Sequence, residues 1–322
     1  MVTEESVKHA AQDGQYLPME ADHSSIVKFT NRSDQHYQIV RRKLLEIALE
    51  ISITPPKVSC EERIKICHWL SLGPFDEKHV EVSGKRQENT GGWLLAHHQF
   101  ISWIDNSGPQ LLWGCGIPGA GKTFLSSLVI DELEIRSIRC TSIGVAYVYF
   151  NYKDQNQQMP VTILRSLIKQ LITRPHACAL DSPIPQKVQS LYNNNCAAES
   201  TPKLGDLRDA LVESLKLFTQ TFFVFDALDE CQKHVRKDLL PLIHWIADSG
   251  TRSRLYPQDI LTSLTSTDSN RYIQRLDIEA KEEDVIIYVD KTIQEHIKAR
   301  DLITGDFRAK VISRLVGACK GI

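Results

Sequence analysis

The chain has 322 residues and a formal net charge of −2, with 42% hydrophobic and 24% charged residues. That composition is ordinary for a soluble globular protein with a real core. The lack of a Lys and Arg excess argues against nucleic acid as the main partner, and no run reaches the roughly 18 apolar residues of a transmembrane helix.

The first 30 or so residues are polar, and the start MVTEESVKHAAQDGQ has no apolar segment that would mark a signal peptide. Asp34 can cap a helix whose apolar face is Ile39, Val40, Leu44, Ile47, Ala48 and Ile51, ended by Pro55 and Pro56. A second helix is predicted over Glu61–Leu70, broken at Gly73-Pro74. From there strands alternate with helices. Gln110–Cys115 is a short apolar strand entering a Gly-rich loop, and Thr123–Arg136 is a helix with Leu125, Leu128, Val129 and Leu133 inward. Ile143–Phe150 reads as a strand, Val161–Ile172 as a helix, and Arg174–Gly205, with its Pro, Asn and Ser clusters, largely as loop. Leu207–Leu217 is a helix, Thr221–Phe225 a strand ending in acids, and Leu239–Ala247 a helix. Two more strands are expected at Asp259–Leu264 and Tyr272–Ile278, then helices at Glu282–Ile297 and Asp306–Ala318. The alternation implies an α/β fold, a three-layer sandwich around a mainly parallel five-stranded sheet.

The eight cysteines are scattered, with no pair at zinc-site or redox spacing, and read as reduced small hydrophobes in an intracellular, cytoplasmic compartment. His97 and His98 are adjacent, and successive helical residues do not share a face, so they read as a packing pair rather than a metal site.

Gly116-Ile-Pro-Gly-Ala-Gly-Lys-Thr123 matches G-x-x-x-x-G-K-[ST] at every fixed position. Glycines let backbone N–H groups approach phosphate oxygens, and Gly121, Lys122 and Thr123 open a helix whose N-terminus favours negative charge. The spacing makes Gly116, Ile117, Pro118, Gly119, Ala120, Gly121, Lys122, Thr123 and Phe124 the nucleotide-binding candidates. Lys122 would reach the β- and γ-phosphates, and the Thr123 hydroxyl would bind Mg²⁺. Gly114, Gly116 and Gly119 also spell G-x-G-x-x-G, but the second strand ends in Phe150-Asn151 without the ribose-binding acid, and that reading leaves Gly-Lys-Thr unexplained.

The strand Thr221-Phe-Phe-Val-Phe-Asp226 runs into Asp229 and Glu230. A carboxylate at a strand tip beside a phosphate loop can hold the bridging Mg²⁺, which assigns Asp226 to the metal. An acid three or four residues on can polarise attacking water, which makes Glu230 the first catalytic candidate and Asp229 the second.

The loop together with Phe222-Val-Phe-Asp-Ala-Leu-Asp-Glu-Cys231 resembles the NACHT class of signalling NTPases, with the fungal branch and its nephrocystin-type N-terminal module closest. Supporting stretches are Thr90-Gly-Gly-Trp93, Phe100, Trp103, Leu111-Leu-Trp-Gly, Val145–Asp154 and Ile163–Leu171. The resemblance implies a P-loop NTPase fold with ATP or ADP and Mg²⁺ as ligands. Adenine is favoured because no Asn-Lys-x-Asp motif is present, and GTP is not excluded. It also implies self-association in the triphosphate state, effector and sensor partners that the sequence leaves unidentified, and a role in fungal self/non-self recognition. On this reading residues 1–60 are a linker and helix following an effector domain, 61–278 the NTPase domain, and 279–322 the start of a helical lid, cut short before C-terminal repeats. Ala21–Phe29, with His23, is similar to the seam after such an effector; with no G-x-S-x-G nucleophile in the chain, His23 reads as a linker residue.

The family usually closes its fourth strand with Thr-Ser-Arg, whose Arg senses the γ-phosphate. With Thr265-Ser266 in that register, Thr267 stands where the Arg is expected, and Arg271 is a weak substitute. The expected function is therefore a nucleotide-controlled switch with slow or absent hydrolysis. The rival readings are a scaffold that holds ADP structurally and a P-loop phosphotransferase.

Overall fold

The computed structural model describes residues 58–71, 73–105, 111–153, 158–173, 183–196, 200–248, 252–255, 273–295 and 305–320, with four helical positions at 37, 38, 40 and 41. The chain divides into two compact units, Met1–Lys57 and Val58–Ile322. The helix expected from Asp34 to Ile51 is described only at those four positions, and the strand expected at Asp259–Leu264 lies outside the described residues.

In chain order the second unit contains helices α1 (Cys60–Leu70), α2 (Phe75–Lys85), α3 (Gly92–Leu95) and α4 (His98–Asp105), then strand β1 (Leu111–Cys115) and α5 (Lys122–Arg139). Next come β2 (Ile143–Tyr149), α6 (Pro160–Thr173), α7 (Gln186–Cys196), α8 (Leu204–Leu215) and β3 (Gln220–Asp226). A 3₁₀ turn at Leu228–Glu230, α9 (Lys233–Asp248), β4 (Arg252–Leu255), β5 (Ile273–Asp277), α10 (Glu282–Glu295) and α11 (Gly305–Lys320) complete it. No described helix is long and apolar enough to cross a membrane.

The five strands form one sheet in the order β2-β3-β4-β1-β5, and every pairing is parallel. All five residues of β1 are buried, as are Thr221–Asp226 of β3, so both faces of these two strands are covered. That is the layered α/β sandwich expected of a parallel sheet. Aromatic rings pack within a mainly aliphatic core: Trp103 of α4 packs edge-on against Phe222 at 5.0 Å, and Phe223 stacks over Phe225 at 6.4 Å. Because parallel strands all point their C-terminal ends one way, the loop after β1 and the acids after β3 emerge on the same rim.

The edge strand β2 is closed by a side chain. Gln170 of α6 accepts from the Tyr147 N–H through Oε1 at 2.8 Å and donates to the Tyr147 carbonyl through Nε2 at 2.9 Å. All four groups are buried, so the amide supplies the partners that a neighbouring strand would otherwise provide.

Several regions differ from expectation: α3, α4 and β4 fall where no element is predicted, and two further cases have a clear physical reason. The stretch Arg174–Gly205 contains α7, although its sequence is rich in Asn, Ser and Gln. Its first N–H groups are satisfied from outside: Gln186 and Lys187 both donate to the Glu213 carboxylate of α8, at 3.0 and 2.9 Å. A cap supplied by another helix has no local sequence signal. Helix α2 has a buried stripe of Phe75, His79 and Val82, in which the histidine stands where an apolar residue would have revealed the period.

Candidate functional site

The phosphate-loop sequence joins the end of β1 to the start of α5. Gly119 and Gly121 have φ of +84° and +81°, the left-handed region that glycine adopts without strain. Gly116 is fixed for another reason: a Cβ there would collide with the carbonyl oxygen of Ile278, just past β5, which packs directly on the loop. The lysine closes the loop mouth, since Lys122 Nζ donates to the Gly116 carbonyl at 2.7 Å and the Ile117 carbonyl at 2.9 Å. Ile117, Pro118, Gly119 and Phe124 are exposed, Ala120 is buried, and Gly121, Lys122 and Thr123 are half-buried. The loop therefore combines an ammonium, an accessible backbone and a helix N-terminus, an arrangement suited to a polyanion.

Asp226, at the tip of β3, is only 2% exposed. Burial pushes its carboxyl up to about 6, against hydrogen bonds from Ser126 and Thr123 that pull it down, with the nearby charges of Glu230 and Asp229 adding to the rise. The Ser126 hydroxyl donates to Oδ1 at 2.8 Å. A desolvated carboxylate with two hydroxyls on it fits a hard divalent cation, because such a cation removes the burial penalty that now raises the carboxyl.

The next residue, Ala227, has φ +54° and ψ 40°, left-handed for a residue with a Cβ. Such a conformation costs about 1–3 kcal/mol and persists where the surroundings enforce it. Leu228 is driven fully into the core, and Arg236 Nη2 ties the turn by donating to the Asp229 carbonyl at 2.8 Å and the Cys231 carbonyl at 3.0 Å. Asp229 and Glu230 are left exposed. Glu230 Oε2 accepts from the Tyr152 N–H at 3.3 Å, so this carboxylate faces the segment after β2.

A cavity of about 680 Å³ opens beside the loop. Gly119, Ala120, Gly121 and Phe124 form its floor, Arg86, Gln87, Thr90, Gly91 and Trp93 one wall, and Asp284, Val285 and Tyr288 of α10 the other. Its size falls within the range of small-ligand sites.

The upstream wall is anchored to α5 by a polar network. Arg86 donates to Ser127 Oγ at 2.8 Å and to Asp131 Oδ2 at 2.6 Å. His79 bridges Asp131 Oδ1 and the Tyr149 hydroxyl, each at 3.0 Å. Burial alone would raise the Asp131 carboxyl, but hydrogen bonds from His79 and Arg86 outweigh it and hold it below its ordinary value. Tyr149 pairs in register with Asp226, so the network ends one strand away from the buried acid. His79, Asp131 and Glu134 bring ligand atoms within 4.8 Å of one another, but the Arg86 guanidinium already supplies Asp131 with its positive charge.

Loop, Thr123 and Asp226 are thus brought together, with Glu230 and Asp229 on the turn beside them. Thr265, Ser266, Thr267 and Arg271 lie outside the described residues, as does His23. The fourth strand described is Arg252–Leu255, which pairs with β1 on one side and β3 on the other. Sequence reasoning missed Ser126, Arg86, Asp131 and His79. The only trace of Ser126 is a polar residue three positions after Thr123, on a helix whose other inward residues are mostly apolar.

The chain matches the family model described as Nephrocystin 3, N-terminal over residues 89–263, more than half its length. Among curated proteins it is similar to vegetative incompatibility protein HET-E-1 of Podospora anserina. The two are 28% identical over 167 residues, covering 48% of this chain and 11% of that protein. Among solved structures it is similar to the Aeropyrum pernix ORC1 protein in complex with DNA, with a TM-score of 0.41 and 17% identity over 66% of this chain and 51% of that one. It is also similar to the Aeropyrum pernix ORC2 protein in its ADPNP-ADP complexes, with a TM-score of 0.40 and 14% identity over 65% of this chain and 53% of that one. The chain therefore spans about a tenth of the curated relative's length and about half of each solved chain.

Proposed function

The chain belongs to the nephrocystin 3 N-terminal family and is a fungal NACHT-type protein, and from that premise we propose that it is a nucleotide-controlled signalling switch that binds ATP or ADP with Mg²⁺. The observation that carries this reading is the meeting of the loop Gly116–Thr123 with the desolvated Asp226 carboxylate through the Thr123 and Ser126 hydroxyls. In this proposal the backbone of Gly116 to Thr123, flanked by Phe124, cradles the phosphates, and Lys122 turns its ammonium from the loop carbonyls to the β- and γ-oxygens. Thr123 and Asp226 hold the cation, whose chemistry is to neutralise charge on those oxygens. The cavity beside the loop takes the nucleoside.

Glu230 is proposed to orient water, with Asp229 as the second acid. The Glu230 carboxylate is exposed and engaged with the Tyr152 N–H, which supports slow turnover over a fast hydrolase. A switch works through differential affinity for two states, so slow hydrolysis suits a long-lived signal. The similarity to a vegetative incompatibility protein supports a role in fungal self/non-self recognition; a cytoplasmic location and self-association in the triphosphate state complete the proposal. Residues 61–278 act as the NTPase unit in this reading and 279–322 as a helical lid.

The test is isothermal titration of Mg·ATP and Mg·ADP into wild type and Lys122→Ala. Wild type is expected to bind saturably and Lys122→Ala to lose binding. Equal affinity in the two proteins overturns the assignment of the loop.

A further inference from the structure

The two walls of the cavity come from parts of the chain 193 residues apart, and Asp284 joins them. It sits in the first turn of α10, and its Oδ2 accepts from the Gly91 N–H at 3.0 Å and the Trp93 Nε1–H at 3.2 Å. Lys281, just before the helix, holds its ammonium 5.1 Å from the Trp93 ring centroid. One carboxylate oxygen and one cation thus grip the same tryptophan from the α10 side.

The gripped wall is fixed. Gly91 lies so close to α5 that a Cβ would stand 2.8 Å from Leu125 and 2.9 Å from Leu128, and Arg86 is tied to Ser127 and Asp131 of the same helix. The gripping wall is lightly held. Helix α10 has one buried residue, Ile293, and Tyr288 on the cavity is 59% exposed. Helix α11 is joined to α10 by the Arg308–Asp290 pair at 2.7 Å, and its Leu315 also lines the cavity. Elements with little buried apolar contact open at the lowest free energy.

We propose that Asp284 is a latch on the nucleotide cavity: its two hydrogen bonds to Gly91 and Trp93 keep α10 and α11 closed over the bound nucleoside, and release requires breaking them. The proposal rests on the nucleotide reading above. The cavity keeps about 680 Å³ with the latch made, so closure and occupancy are compatible. Asp284 is a positioning residue, since it acts on the wall rather than on the phosphates. The latch therefore governs how long a nucleotide stays, while Lys122 governs whether it binds.

The experiment loads the purified chain with a fluorescent ADP analogue and chases it with excess unlabelled ADP in a stopped-flow instrument. Hydrogen bonds to a charged group are individually strong enough that losing both is expected to speed release about tenfold or more in Asp284→Ala. Association should change by less than about twofold, because the loop is untouched. Asp284→Asn keeps an amide oxygen as acceptor, and Trp93→Phe removes one donor, so both should fall between wild type and Asp284→Ala. Hydrogen exchange at the Gly91 amide should quicken in Asp284→Ala, a change that a merely destabilised core would spread across α5 as well. If wild type retains the analogue and Asp284→Ala releases it at the same rate, the latch is overturned alone. If wild type retains no analogue, the nucleotide reading falls and the latch with it.

Discussion

Replacing Asp226 by Asn is expected to make the ligand-free protein more stable, although it removes a proposed metal ligand. The carboxyl is buried and titrates near 6, against 3.8 in an open chain. Between those two values the folded state holds a proton that the unfolded state has released, so stability falls as pH rises through this window. Above about pH 6 the group is ionised in both states and the full penalty remains. At about 1.4 kcal/mol per pH unit the loss is about 3 kcal/mol. Asn has the same shape, keeps an oxygen for the Ser126 hydroxyl and never ionises. Urea denaturation from pH 4 to 8 should therefore give a nearly equal midpoint for both proteins at pH 4 and a widening advantage for Asp226→Asn up to about pH 6.5. Added Mg²⁺ and nucleotide should then raise the wild-type midpoint by more than that of the variant, which keeps the loop and Lys122 but lacks one cation ligand. A variant that is less stable at pH 7.5, or an advantage that does not change with pH, refutes the argument that burial sets the state of this carboxyl.

Other substitutions test the frame around the site. Gly116→Ala should lower stability by about 2 kcal/mol or more, because the added methyl meets the Ile278 backbone rather than a side chain that can turn away. Calorimetry checks it, and an unchanged Tm would mean that β5 does not press on the loop. Gln170→Met keeps volume but orphans the buried N–H and C=O of Tyr147, at a cost of about 2–5 kcal/mol. A urea midpoint equal to wild type would show that those groups find other partners.

What the sequence made legible was what is contiguous in it. The strand, loop and helix from Leu111 to Arg139 carry their own period and their own glycines, and Gln220–Asp226 is an unbroken buried run. These two segments were enough to expect the sheet and the two halves of the site. What stayed hidden depends on residues that meet only after folding. Asp131 is one charge among many on α5 until His79 and Arg86 arrive from α2 and its C-terminal edge. Helix α7 looks like loop until Glu213 caps it from α8. The contact between Asp284 and Trp93 joins residues 191 positions apart, and although Trp93 stands in a stretch the sequence singles out, nothing in that stretch points to Asp284 as its partner. The proposed phosphate end of the site is thus written locally and its proposed nucleoside end is assembled at long range.

The Gln170 plug bears on how copies of this chain can meet. An edge strand ordinarily offers its backbone to any passing strand, and many assemblies grow by that route. Here the strand Ile143–Tyr149 is stopped at its fifth residue by an amide that occupies both of its backbone groups. An incoming strand would have to evict a buried side chain before it gained its second rung. Growth by continuous β-sheet is closed at this margin, and a contact between copies made here would have to use helices and side chains, which can be made and unmade without rewriting the sheet.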